Sequence, residues 1–276
     1  MLAAATLLAL ALQAPAAPLS VPHSARALRP GEVVVLTIAG AGAPVDIRAF
    51  NNTWRAFPDG EHTWRALVGI DLGTKPGRYD VTITSAGAQV TYPLTVRARA
   101  FPTRRLTVDP ALVNPPPDAQ ARIERERREM EAVWAASPHE RLWTDPFARP
   151  VPDPANSAFG THSVFNGEPR SQHSGADFLS PAGRPIKAPN AGRVVIASSR
   201  YFSGNTVVID HGQGMFSHLA HLSEIDVKAG DLVPAGAVVG KVGATGRVTG
   251  AHLHWTVRLN GARVDPLSLL SVLGAS

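Results

Sequence analysis

The sequence predicts an all-β protein in which two β domains are joined by a single charged helix. Short apolar runs recur between turn residues over most of the chain, which is typical of antiparallel β domains. Glycine and proline contribute 24 residues each to 276, and charged residues make up only 18%. This composition favours turns and short strands over a helical bundle.

Composition also limits the chemistry that the chain can perform. Cysteine is absent, so any metal site must be built from histidine and carboxylate side chains. The net charge is +5, without a dense run of lysine and arginine and without a recognisable nucleic-acid-binding motif. We therefore expect no nucleic-acid partner.

The N-terminal segment has the pattern of an export signal. An apolar run covers residues 2–12 and is followed by small residues, with Ala14 and Ala16 at the spacing of a cleavage site. No lysine or arginine precedes the run, which is a departure from the usual pattern. The run is shorter than the roughly 20 residues of a transmembrane helix. We predict a signal peptide over residues 1–17, export to the periplasm or cell envelope, and no integral membrane segment in the mature chain.

Residues 19–113 predict a β-sandwich accessory domain. Strand-like runs alternate with turns, and in residues 79–83 the apolar side chains Tyr79, Val81 and Ile83 share one face. No cluster of histidine and carboxylate residues occurs in this region. We expect this region to be an accessory or binding domain without catalytic activity of its own.

Residues 114–139 predict a proline-rich break followed by a charged helix. Asp118 is placed to cap this helix, which spans about 118–136. An apolar stripe predicts packing on a neighbouring domain; its residues are Ile123, Met130, Val133 and Trp134. Residues 140–276 then return to strands and turns, which predicts a second, larger β domain able to fold alone.

Two histidine patterns in this second domain predict a metal site. His173 and Asp177 stand four residues apart in a turn that enters a strand, with Gly175 between them giving the backbone freedom. His252 and His254 are two apart in a strand-like run, so their side chains project from the same face. A pair of surface histidines would produce the second pattern equally well.

Together these residues carry a resemblance to the lysostaphin-like (LytM-type) zinc endopeptidases of bacterial cell walls. The matching runs, in chain order, are FNGEPRSQHSGADF (165–178), NTVVIDHGQG (205–214), the segment from 220 to 255, and VDPLSLL (264–270). They cover nearly the whole second domain. The first domain resembles, with lower specificity, immunoglobulin-like modules that precede such catalytic domains.

The resemblance implies one zinc ion per chain, held by His173, Asp177 and His254, and two catalytic histidines, His221 and His252. Three protein ligands leave a fourth position for water, which is the pattern of a catalytic rather than a structural zinc site. The implied activity is hydrolysis of peptide bonds in peptidoglycan by a metal-activated water. Which histidine acts as the base stays open.

His218 is a competing candidate for the role of His221. In a regular strand, positions three apart face opposite sides, so only one of the two histidines could reach the metal. The family pattern favours His221. Asn166 and Arg170 precede the metal motif and are candidate substrate contacts, and Tyr201 and Phe202 are candidate groove residues.

Two other functions remain open from the sequence. Domains of this type sometimes lose their ligands and act as activators of other cell-wall hydrolases, but here every ligand position is retained. Residues 227–242 also resemble the hairpins of biotinyl and lipoyl carriers. Neither Lys228 nor Lys241 stands at a hairpin tip, where the modified lysine would have to be.

Overall fold

The computed structural model describes residues 19–41, 44–85, 88–107, 115–144, 146–156 and 159–274. The predicted signal peptide and Asn114, at the start of the predicted proline-rich break, lie outside these ranges. Strands dominate the described residues, which confirms the all-β fold class. Neither of the helices described is both long enough and apolar enough to cross a membrane.

The N-terminal part forms an antiparallel sheet with the strand order β1-β2-β5-β4-β3-β6-β7. Its strands are β1 (His23–Ala25), β2 (Val33–Ala39), β3 (Asp46–Ala49), β4 (Asn52–Pro58), β5 (Thr63–Gly69), β6 (Gly77–Ser85) and β7 (Ala88–Val96). The sheet curls at β4, whose first half pairs with β3 and whose last residues pair with β5. Val81 and Ile83 are fully buried and Tyr79 is partly buried, as their alternation predicts.

A short strand connects this sheet to the rest of the protein. Strand β8 (Thr103–Leu106) runs parallel to β10 (His162–Phe165), which pairs in turn with β11 (Glu168–Pro169). The pairing sets Ser163 opposite Arg104. A segment from the N-terminal half therefore becomes part of the surface that leads to the metal motif.

Helix α1 (Pro117–Ala135) confirms the predicted helix but not the predicted cap. The helix begins after Pro116, no side chain caps it, and Asp118 lies inside the first turn. Pro117 occupies the first helical position, where its fixed φ and missing N–H are tolerated. Three residues of the apolar stripe, Met130, Val133 and Trp134, pack on the C-terminal sheet, and the Trp134 and Phe216 rings are 4.9 Å apart.

The C-terminal part is an antiparallel sheet with the order β17-β14-β15-β16-β19-β12-β9, to which β18, β13 and β20 are attached. Its strands are β9 (Ala155–Asn156), β12 (Gly175–Phe178), β13 (Pro185–Lys187), β14 (Gly192–Arg200), β15 (Gly204–Gly212), β16 (Met215–Ile225), β17 (Leu232–Val233), β18 (Val238–Val242), β19 (Leu253–Leu259) and β20 (Ala262–Val264). Helix α2 (Pro266–Leu273) follows and is capped by Asp265, which accepts from the Leu267 N–H.

The two sheets share one apolar core and a buried ionic network. Residues of both sheets belong to one continuous buried cluster. Beside it, Arg26 contacts Glu32 at 2.9 Å and Asp265 at 2.7 Å, and Arg99 lies 3.4 Å from the same Asp265. The immunoglobulin-like character of the first part and the independent folding of the second stay predictions.

Candidate metal centre and cleft

The metal motif is assembled by the register of two strands. Strand β12 pairs antiparallel with β19, and this pairing sets Asp177 directly opposite His254. His173 lies just before β12, where its side chain turns back towards the same point. Gly175 is needed for close packing, because a Cβ there would lie 2.5 Å from the Trp255 carbonyl oxygen. Gly175 was expected to supply backbone freedom, but it is required here because there is no space for a side chain.

Three ligand atoms converge at this point. His173 Nε2 lies 3.0 Å from Asp177 Oδ1 and 3.0 Å from His254 Nδ1, and the last two atoms are 2.8 Å apart. Among the described residues, these three form the group of histidine and acidic side chains that could hold a metal ion. All three side chains keep a narrow face open to the cleft, with exposed fractions of 13–16%.

The surroundings fix the ionisation state of this group. Burial opposes the charge on Asp177, but hydrogen bonds from His173 and His254 outweigh it and hold its pKa well below the usual range. Burial lowers the pKa of His254, although Asp177 works against that shift. His254 Nε2 lies 2.9 Å from Thr256 Oγ1. A proton on Nε2 would leave the lone pair of Nδ1 directed at the cluster.

The two predicted catalytic histidines lie beside the cluster. Their rings are 5.0 Å apart, and His252 Nε2 is 3.8 Å from Asp177 Oδ1. His221 Nδ1 lies 2.9 Å from the Thr245 carbonyl oxygen, and His252 Nδ1 lies 2.9 Å from that of Gly250. These contacts orient the Nε2 atom of each ring towards the cleft. Burial lowers the pKa of His221 to about 4, so its imidazole is neutral at pH 7.

The expected orientation of His218 is wrong, because the strand that carries it is not regular. Val207 pairs with Leu219 but Asn205 pairs with Leu222, so β16 holds one extra residue. The bulge falls at His221, whose φ is +68° and whose N–H donates to the Ser203 carbonyl. A bulge shifts the alternation of side chains. Both His218 and His221 therefore line the cleft.

The cleft around the cluster has a volume of about 460 Å³. Its wall includes Arg170 and Phe202, the first of them a predicted substrate contact. Asn166, the other predicted contact, lies in the turn between β10 and β11 with φ +52° and lines a separate surface depression. A role for Asn166 in substrate binding stays a prediction.

Sequence reasoning missed two cationic wall residues, Arg104 and Arg247. Arg247 lies in the segment that precedes His252, and its position five residues before the histidine pair was an available signal. Arg104 lies about seventy residues before the metal motif in sequence. It reaches the cleft because β8 pairs with β10, a long-range parallel pairing that no local pattern indicates.

Comparisons with known proteins agree with this site. The family model "Peptidase family M23" matches residues 171–266. A crystal structure described as that of a candidate M23 peptidase from Pseudomonas aeruginosa has 36% sequence identity and a TM-score of 0.73. That alignment covers 91% of this chain and 97% of the other.

Two of the curated relatives match about a third of this chain. Peptidoglycan DD-endopeptidase ShyB from Vibrio cholerae is 38% identical over 95 residues, which are 34% of this chain and 22% of that protein. Lysostaphin from Staphylococcus staphylolyticus is 36% identical over 108 residues, or 37% of this chain and 22% of that protein. Each match thus spans about a fifth of the relative. The likeness to the Pseudomonas protein extends over nearly the full length of both chains, and this chain therefore belongs to the M23 peptidase family.

Proposed function

We propose that this protein is an exported zinc endopeptidase that hydrolyses peptide bonds in peptidoglycan, using His221 and His252 as catalytic groups. The observation that carries the proposal is the convergence of His173, Asp177 and His254 at the base of an open cleft. Membership of the M23 family and the curated relative described as a peptidoglycan DD-endopeptidase support the substrate class.

The donor set fits zinc. Two imidazole nitrogens and one carboxylate oxygen are ligands that zinc accepts, and tetrahedral ligands at about 2.0–2.1 Å from the metal lie roughly 3.3 Å apart. The three atoms here are separated by 2.8–3.0 Å. When zinc is bound, each of these atoms would direct a lone pair at the cation. When bound, zinc would polarise a carbonyl group and activate water for attack.

The protein's own residues then handle protons and orientation. His221 and His252 are each anchored through Nδ1 to a backbone carbonyl, so each presents Nε2 to the cleft. One can accept a proton from the attacking water while the other donates to the leaving amine. Thr256 orients His254 through its second ring nitrogen, the usual function of a residue behind a metal ligand.

For the bond cleaved, we propose the cross-link between D-alanine and diaminopimelate, with a glycine-rich bridge as the second candidate. The DD-endopeptidase activity of the Vibrio relative supports the first choice. Acting on the cell wall requires the protein to leave the cytoplasm, in agreement with the predicted signal peptide.

The test combines metal analysis with digestion of purified peptidoglycan. Zinc content of the purified full chain should be one per molecule, and mass spectrometry of the digest should show fragments cut in the peptide cross-links. Asp177→Ala should lose both zinc and cleavage. The matched control His62→Ala, which removes an exposed histidine in the connection between β4 and β5, should retain both.

A different outcome would favour another function. A protein that holds zinc but releases nothing from peptidoglycan, while stimulating a second hydrolase, would be an activator. A wild-type protein that binds no zinc at all would overturn the proposed metal centre.

A further inference from the structure

The cleft beside the metal ligands has a strongly cationic wall. Arg104, Arg170 and Arg247 all line it, and they come from three separate parts of the chain. Among the described residues that line the cleft, the one carboxylate is Asp177, which belongs to the metal cluster. We propose that these three arginines bind a carboxylate group of the substrate next to the scissile peptide bond.

Arg247 is held in place by the aromatic side chains around it. Its guanidinium carbon lies 4.3 Å from the centre of the Phe202 ring and 5.7 Å from that of Phe165. Its backbone N–H donates to the Phe202 carbonyl at 2.8 Å. Contact with aromatic ring faces restricts the orientation of a guanidinium plane. The guanidinium is therefore positioned before substrate arrives.

Neighbouring structure places the two other arginines at the cleft. Arg104 is carried by β8 and paired with Ser163 of β10. Arg170 forms an ion pair with Glu168 at 2.5 Å. Burial, and then the charge of Arg170, lower the pKa of Arg247. Like charges gathered in a partly buried wall are stabilised when an anion binds between them.

The chemistry of guanidinium indicates which anion fits. Its parallel N–H groups match the two oxygens of a carboxylate, and such charged pairs are stronger than neutral hydrogen bonds. This inference rests on the proposed peptidase function and narrows its substrate. In the D-alanine–diaminopimelate cross-link, the carbon that bears the acylated amine also carries a carboxylate. A glycine bridge has no such group inside the bridge.

The experiment compares two synthetic cross-linked peptides that differ at one group. In one the diaminopimelate carboxylate is free, and in the other it is a carboxamide. Wild-type full-length protein should cleave the free acid with a kcat/KM roughly 10- to 100-fold higher, the range expected for charge-assisted hydrogen bonds. Raising the salt concentration should reduce this preference because it screens charges that face solvent.

Substitutions test whether the three arginines produce the preference for the free carboxylate. Arg247→Gln should cleave both peptides at nearly the same rate, and Arg247→Lys should restore part of the preference. Arg128→Gln, which removes an exposed arginine of α1, should keep the full preference. Equal cleavage of both peptides by the wild type would overturn the carboxylate site while leaving the peptidase function intact. Absence of cleavage of either peptide and of peptidoglycan would instead refute the peptidase function.

Discussion

Glu32 is the residue whose neutralisation tests how the two halves of the protein are held together. Its side chain is fully buried and lies between Arg26, Arg29 and Arg99. Arg26 makes two hydrogen bonds to it, at 2.9 and 3.0 Å, and also reaches Asp265 at the start of helix α2. Replacing Glu32 by glutamine preserves its shape but leaves buried positive charge with less compensation.

The size of the effect follows from burial. Breaking a buried ion pair by removing one partner costs about 3–5 kcal/mol. The side chains of Arg26 and Arg29 are still 30% and 41% exposed, so water can compensate part of the loss. We expect Glu32→Gln to lower the free energy of unfolding by about 3 kcal/mol, the lower end of that range.

The pH dependence of this difference has a defined sign. Burial raises the pKa of Glu32, but the hydrogen bonds from Arg26 outweigh burial and the pKa falls below its ordinary value of 4.5. A depressed carboxyl pKa stabilises the folded state above the unfolded pKa, and this contribution is lost as the pH falls through the folded value. The difference between wild type and Glu32→Gln should be complete at pH 7 and shrink below about pH 4.5.

Urea unfolding of the full chain measures both quantities. Tryptophan fluorescence reports on both halves, through Trp54 in the first sheet and Trp255 in the second. Glu61→Gln is a matched control, because it removes the same charge from an exposed position and should change stability by less than about 0.5 kcal/mol. A loss below about 1 kcal/mol at pH 7, or a loss that does not diminish in acid, would refute the role given to Glu32.

Two further predictions concern the cleft. His221→Ala should keep zinc and lose turnover by roughly 10²- to 10⁴-fold, since it removes a proton-transfer group without removing a ligand; metal analysis and cleavage rates measure both, and loss of zinc would make His221 a ligand instead. Gly246→Ala should reduce cleavage, because a Cβ there would lie 2.4 Å from the Gly204 nitrogen and displace the adjoining loop. Gly236→Ala, with nearly the same φ (+78° against +77°) and open space around it, should retain full activity.

The metal cluster could be predicted from sequence because each of its two motifs is local, and the family resemblance then assigned the ligand roles. His173 and Asp177 belong to one turn and strand, and the histidine pair belongs to another. A single antiparallel register, which sets Asp177 opposite His254, then brings the two motifs together. Alternating polarity likewise predicted the buried face of β6, since a regular strand needs no information from elsewhere in the chain.

The same reasoning failed at two places, a bulge in a strand and the start of a helix. The orientation of His218 was derived for a regular strand, whereas β16 bulges at His221, a non-glycine residue with positive φ. Tertiary packing determines where such a bulge forms, and the neighbouring residues in the sequence do not predict it. At helix α1, the fixed φ of Pro117 starts the helix one residue before the cap expected from Asp118.

The residues that line the cleft come from both halves of the protein. Every residue assigned to the metal or to proton transfer lies within residues 171–266, the part that matches the family model. Arg104 and Arg170 lie before that part, and Arg104 is carried by a strand that leaves the N-terminal sheet. Arg99 lies shortly before strand β8. It forms an ion pair with Asp265, and its guanidinium lies over the rings of Phe101 and Phe159. The ionic network around Glu32 thus anchors the segment that brings Arg104 to the cleft.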